Sequence, residues 1–166
     1  MKNIFTRRSI RKYMDKDVDE AILKEIIKAG MNAPSAGNAQ PWHFIIIHDQ
    51  EKLVKINEVH PYSKMLLHAK SAILICGDPS LEKHEGFWVQ DCAAAVQNML
   101  LMIDYKGLGS VWLGIYPLKD RIDGVTKIFN LPEGIVPFAV LPVGYPDETK
   151  TENNKFDESK IHSDKW

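Results

Sequence analysis

Apolar positions at helical spacing, Ala21, Ile22, Leu23, Ile26 and Ile27, follow Asp19 and predict an amphipathic helix capped near Asp19 and ending near Gly30. Residues 3–8 predict a shorter helix ahead of it. Phe44 to Ile47 is an aromatic and β-branched run, the pattern of a buried strand. Helical spacing returns over Gln50 to Val59 through Leu53, Val54 and Ile56, is broken by His60-Pro61-Tyr62, and resumes for a turn at Met65 to Leu67. Ala72 to Cys76 predicts a second strand, closed by the turn Gly77-Asp78-Pro79. Lys119 to Phe129 predicts a helix, and Val136 to Val143 a strand whose Pro142 suits an edge or a bulge better than a sheet centre.

The longest element is predicted over Gly86 to Lys106. Its polar positions Gln90, Gln97 and Asp104, with Asp91, Asn98 and Tyr105 beside them, recur every seven residues and form one narrow stripe. The rest of the surface is apolar over a wider arc than a one-sided surface helix shows, so this helix must be covered on more than one side. A membrane span is the competing account, and Gln90, Asp91, Gln97 and Asn98 would be expensive in hydrocarbon. Burial between a sheet and a second subunit is the more economical expectation. Ala93 to Ala95 would let another helix approach closely, or could face the sheet.

The glycines of Gly107-Leu-Gly-Ser-Val-Trp-Leu-Gly114 follow a helix and lead into an apolar strand. This reverses the strand-glycine-helix order of a dinucleotide fingerprint and excludes that reading. Gly107 fits the C′ position of the long helix, and Gly114 leaves a place where a flat ligand could lie against backbone.

At 166 residues, 45% apolar and 26% charged, the chain is expected to form one domain with a substantial core. A formal net charge of −1 gives no electrostatic reason to expect nucleic acid or an anionic membrane as partner. The N-terminus lacks the continuous apolar run of a signal peptide. Cys76 and Cys92 form no C-x-x-C, so buried, reduced thiols in a cytoplasmic protein are the expectation. The histidines form no metal-ligand spacing, and no metal site is expected.

Two stretches carry candidate chemistry. Arg7, Arg8, Ser9 and Arg11, followed by Lys12, crowd guanidinium groups around one hydroxyl. That is either a solvated basic face or a phosphate site, since guanidinium forks match phosphate oxygens bidentately. Ala33-Pro-Ser-Ala-Gly-Asn-Ala-Gln-Pro-Trp42 is held between two prolines and presents Ser35, Asn38 and Gln40 without charge. It is either a helix-to-strand connection that satisfies its own backbone or a binding loop.

Taken in order, five motifs resemble the FMN-dependent nitroreductase family, specifically its short members. They are Arg7-Arg8-Ser9-Ile10-Arg11, the Ala33 to Trp42 loop, Trp88-Val-Gln-Asp-Cys-Ala-Ala with Gln97-Asn98, Gly107 to Gly114, and the Asp157-Glu-Ser-Lys-Ile-His162 tail. The set is specific where each motif alone would be weak.

The resemblance implies an α+β sandwich, a mixed but mainly antiparallel sheet flanked by helices, with the long central helix at a homodimer interface. One FMN-binding domain would span 1–166, its arm over 147–166 packing on the partner subunit. Arg7, Arg8, Ser9 and Arg11 would meet the flavin phosphate and ring oxygens. Pro34, Ser35, Asn38 and Gln40 would reach the flavin held mainly by the other subunit. Backbone around Trp112, Leu113 and Gly114 would lie along the ring. Lys155 stands where the family commonly has an arginine, keeping the charge and losing the bidentate fork.

The implied activity is NADH- or NADPH-dependent oxidoreduction through flavin N5, by a ping-pong scheme, to a nitroaromatic, quinone or similar small acceptor. No side chain need act as acid or base. Arg11 is expected to stabilise negative charge that accumulates at the N1 and C2-oxygen edge on reduction. The alternatives keep the fold and change the role: enone reduction, dehalogenation or flavin fragmentation, a flavin-binding redox sensor without turnover, or a dimeric module without cofactor.

Overall fold

The computed structural model describes residues 3–151 and 154–166, so that 152 and 153 of the expected arm lie outside the described residues. A short helix, α1 (Asn3–Thr6), leads through an extended strap into α2 (Glu20–Met31), capped by Asp19, whose carboxylate accepts from Ala21 N–H. Then come β1 (Trp42–Ile47), α3 (Gln50–Val59), β2 (Ser71–Gly77), the long helix α4 (Trp88–Tyr105), the two-residue β3 (Leu113–Gly114), α5 (Lys119–Phe129) and β4 (Val136–Val143).

The strands form one sheet in the order β1-β2-β4-β3, and every pairing is antiparallel. The parallel component expected of a mixed sheet is not present among the described residues. The alternation of β2 explains its complete burial. Ile73 and Ile75 face a core shared with α2 and α4, while Ala72, Leu74 and Cys76 face a second core beneath α3 and α5. Helices therefore cover both faces, giving an α+β sandwich with two cores.

β4 corrects one expectation, since this proline-bearing strand lies inside the sheet. Gly144 N–H bonds Gly109 O, and Ile115 N–H bonds Phe138 O, so even-numbered backbone groups of β4 face β3. The ring nitrogen of Pro142 accordingly faces the gap between the Leu113 pairing and the Gly109 to Gly144 bridge, where no ladder bond is lost. Pro137 faces β2 at the register shift between Ile75 and Cys76. That bulge makes Phe138 the extra residue and turns it to the same core as Ala139.

α4 spans the molecule beneath the sheet. Gly30 of α2 lies against it so closely that a Cβ there would meet Met99 Cγ at 2.8 Å and Ala95 O at 3.4 Å. Ala95 is thus the small residue that admits α2. At its far end α4 closes in a Schellman motif: Gly107 N–H bonds Asp104 O and Leu108 N–H bonds Ile103 O, with Gly107 at φ 72°. This cap turns the chain sharply into the glycine segment that carries β3. No helix of the described residues is long and apolar enough to cross a membrane.

Candidate functional site

The strap over residues 7–14 is wedged between the glycine segment and the chain after β4. Ile10 N–H bonds Ser110 O at 2.9 Å, Met14 N–H bonds Tyr145 O, and Asp147 N–H bonds Lys12 O. Tyr13 is buried, donates to Ile10 O at 2.7 Å, and has its phenol pKa raised by that burial. Arg11 N–H donates to Glu148 Oε1 at 2.6 Å. The Glu148 carboxyl, also bonded by Lys150, is held below its ordinary pKa, first by Lys150 and then by this backbone N–H. The strap is therefore fixed through its backbone, which leaves its basic side chains to face outward.

Arg7 and Arg8 line a cavity of about 510 Å³ with Lys155, and no carboxylate lines it. The structure thus brings together three of the cations named from sequence, one of them from the distant tail. Arg8 is partly committed: its Nε donates to Thr151 O at 3.0 Å, and its Nη1 to Phe5 O and Arg7 O at 2.8 and 2.9 Å. Behind the cluster sits Asp104, whose carboxyl pKa is raised by burial, with Arg7 and Arg8 opposing the rise. Beside them the Ser110 hydroxyl is buried without a protein partner. Ser9 is half-buried within the same strap. Two guanidinium groups and an ammonium on an acid-free lining fit a phosphate monoester.

Arg11, on the same strap, points to a second cavity of about 560 Å³ that also contains Trp112, Leu113 and Gly114. β3 is the sheet edge, and Gly114 turns its N–H and C=O away from β4, because the neighbouring Ile115 N–H is the one that bonds Phe138 O. A Cβ at Gly114 would meet no protein atom within 4 Å. Trp112 and Tyr116, on the same side of β3, pack edge-on and stacked against Phe138, with centroids 5.8 and 6.5 Å away. A glycine without a side chain at the sheet edge, beside the Trp112 ring, suits a flat heteroaromatic ring lying against backbone.

This cavity also holds residues that the motifs did not mark: His60, Tyr62, Lys64 and Arg121. Arg121 Nη1 donates to Gly114 O at 2.7 Å, and His60 Nε2 lies 3.1 Å from the same oxygen. His60 Nδ1 accepts from Tyr62 N–H, which assigns the proton to Nε2. Burial, with the Arg121 guanidinium beside it, lowers the His60 pKa and keeps it neutral. Two donors thus lock the Gly114 peptide. A histidine at the end of a helix and an arginine on an amphipathic helix give no sequence signal of such a role.

The Ala33 to Trp42 loop lies elsewhere. Gly37, Asn38 and Gln40 all have positive φ, so the loop is a tight, folded unit rather than an extended connection. Its side chains engage one another: Gln40 N–H donates to Ser35 Oγ at 3.0 Å, and Gln40 Nε2 to Asn38 Oδ1 at 3.0 Å. Pro34 precedes this unit as a rigid entry. Ala36 N–H anchors the loop to the buried Asp91 on the first turn of α4, at 2.9 Å. Arg7 and Arg8 gather at Asp104, near the other end of α4, so about 20 Å of helix separates the loop from the basic cluster. One chain does not bring the two halves onto one ligand. Among the described residues, no group of three or more His, Cys, Asp and Glu side chains is placed to hold a metal ion.

Comparison with known proteins gives one answer. The family model described as "Nitroreductase family" matches residues 4–60 and 56–145. A protein of Methanothermobacter thermautotrophicus described as "Putative NADH dehydrogenase/NAD(P)H nitroreductase" is 51% identical over 163 residues, covering 98% of this chain and 85% of the relative. A crystal structure from Parabacteroides distasonis with the same description superposes with a TM-score of 0.96 at 41% identity, covering 99% of this chain and 97% of the other. A nitroreductase structure from Desulfovibrio desulfuricans, solved in complex with FMN, has a TM-score of 0.84 at 28% identity, covering 99% and 96%.

Proposed function

The chain belongs to the nitroreductase family, and from that premise we propose that it is an FMN-dependent NAD(P)H oxidoreductase acting as a homodimer. The observation that carries the reading is the acid-free cavity where Arg7, Arg8 and Lys155 meet, continuous along one strap with Arg11 beside the open Gly114 edge. Arg7, Arg8, Ser9 and Lys155 hold the phosphate. Arg11 stands at the pyrimidine edge of the ring, and the Trp112, Leu113 and Gly114 backbone supports its plane.

Held there by these residues, FMN would supply two-electron redox chemistry between NADH or NADPH and a nitroaromatic, quinone or similar acceptor. Arg11 offers a cation where negative charge grows, on a strap whose backbone is tied to Glu148. Arg121 and His60 hold the Gly114 peptide in one orientation, which keeps the ring support rigid.

The separation of the two half-sites along α4 supports the dimer reading. In a two-fold assembly with α4 near the axis, the loop of one subunit, with Pro34, Ser35, Asn38 and Gln40, reaches the flavin bound at the strap of the other. Two surfaces support this arrangement. A groove of about 780 Å³ between α2 and α4 has an apolar stretch of Ala29, Leu101, Met102 and Tyr105 among polar residues that include Glu25 and Lys28, and Tyr105 is 76% exposed. The tail over 154–166 leaves Phe156, Ile161 and Trp166 exposed, as an arm awaiting a partner surface would.

Steady-state kinetics test the reading. FMN-loaded protein should turn over NADH or NADPH with menadione and give parallel double-reciprocal lines. Intersecting lines, or a protein that takes up no FMN, would refute it.

A further inference from the structure

The cavity beside Gly114 carries more positive charge than a flavin ring edge calls for. Arg11, Lys64 and Arg121 all line it, none of its lining residues is acidic, and none of the three has an ion-pair partner among the described residues. Of the carboxylates on α5, Asp123 is paired with Lys119 at 2.7 Å, and neither it nor Asp120 reaches the cavity. Arg11 answers to the ring, and the phosphate cations lie in the other cavity. Lys64 and Arg121 are left over, and of the two only Arg121 carries a planar fork. Its Nη1 is spent on Gly114 O, while Nε and Nη2 have no protein partner among the described residues, which leaves a planar donor pair of the kind that grips a carboxylate. The Tyr62 ring, 74% exposed, stands 5.9 Å from the guanidinium and offers an aromatic face beside it.

We propose that Arg121, with Tyr62, forms an anion subsite that makes the acceptor pocket selective for aromatic acceptors bearing a carboxylate, the ring lying by Tyr62 and the carboxylate on Arg121. This rests on the FMN reading, which places the electron source at Gly114. Arg121 is then both a specificity residue and the anchor of the ring support.

The test is equilibrium binding to the oxidised, FMN-loaded protein, read by calorimetry or by the shift of the flavin spectrum. Para-nitrobenzoate is compared with its neutral isostere para-nitrobenzamide. Wild type should prefer the carboxylate by about tenfold, the worth of a charge-assisted pair, and the preference should shrink as salt is raised. Arg121→Gln, which keeps an amide donor for Gly114 O, should bring the two affinities to within about twofold, and Arg121→Lys should give an intermediate ratio. Equal wild-type affinities, or a preference that survives in both variants, would overturn the proposal. Protein that takes up no FMN would fell the functional reading and this inference together, whereas FMN-loaded protein without charge preference would fell this inference alone.

Discussion

The strap bearing Arg7 to Arg11 is positioned by a contact only glycine permits, and substitution of Gly109 measures that dependence. A Cβ on Gly109 would stand 2.6 Å from Ile10 Cγ2, 2.7 Å from its Cβ and 3.0 Å from its Cγ1. Carbon pairs rest near 3.5–4.0 Å, so Ile10 must retreat by about 1 Å. No rotamer change achieves this, because the Ile10 Cβ is itself too close. The strap must lift instead, straining the 2.9 Å bond from Ile10 N–H to Ser110 O. Overpacking of this kind costs about 1–3 kcal/mol, offset by about 0.4–1 kcal/mol from a stiffer unfolded chain, so Gly109→Ala should destabilise the protein by roughly 1–2 kcal/mol. Urea unfolding of the apoprotein measures it. Gly114→Ala, with no protein atom within 4 Å of the new Cβ, is the control and should cost the apoprotein nothing. Because the strap carries the phosphate cations, Gly109→Ala should also weaken FMN binding about tenfold, by about 1.4 kcal/mol. A double-mutant cycle with Ile10→Gly should return at least about 1 kcal/mol of coupling. Wild-type stability in Gly109→Ala, or additivity in the cycle, would refute the reasoning.

Lys155→Arg restores a fork beside Arg7 and Arg8 and should tighten FMN several-fold, while Lys155→Ala loosens it and flattens its salt dependence; fluorescence titration at two ionic strengths reads both. Arg11→Gln removes the cation at the ring edge and should lower the flavin midpoint potential by about 30 mV or more, equivalent to about 1.4 kcal/mol for two electrons, as spectroelectrochemistry would show. His60 has a folded-state pKa below its ordinary 6.5, so the unfolded chain binds the extra proton first as pH falls. Its contribution to stability is complete above pH 6.5 and is lost as pH falls through the folded pKa. His60→Gln should therefore flatten the stability profile as pH falls below about 6.5.

The helix ends were legible where a cap marks them, as with Asp19 at the start of α2 and Gly107 past the end of α4, because those signals are local. The basic cluster was legible because charge density needs no tertiary context, and Lys155 joined it only through resemblance. The central position of β4 was not, since Pro137 and Pro142 are tolerated by a bulge and a ladder gap that depend on the register of neighbouring strands. Residues of the ring cavity were missed for the same reason. His60, Lys64 and Arg121 come from a helix end, a single turn and a surface helix, and only the packing of α5 beside β3 brings them to one cavity, with His60 and Arg121 at one carbonyl. The Ala33 to Trp42 sequence reads as a connection or a binding loop, but its folded conformation, with Asn38 and Gln40 at positive φ, and its placement about 20 Å along α4 from the strap appear only in three dimensions.

The most direct test of the central claim is anaerobic mixing of the FMN-loaded protein with one equivalent of NADH or NADPH, followed by a nitroaromatic or quinone. The account predicts that the yellow absorbance bleaches fully with at least one nicotinamide and returns on addition of the acceptor. Flavin that stays oxidised with both nicotinamides would contradict it.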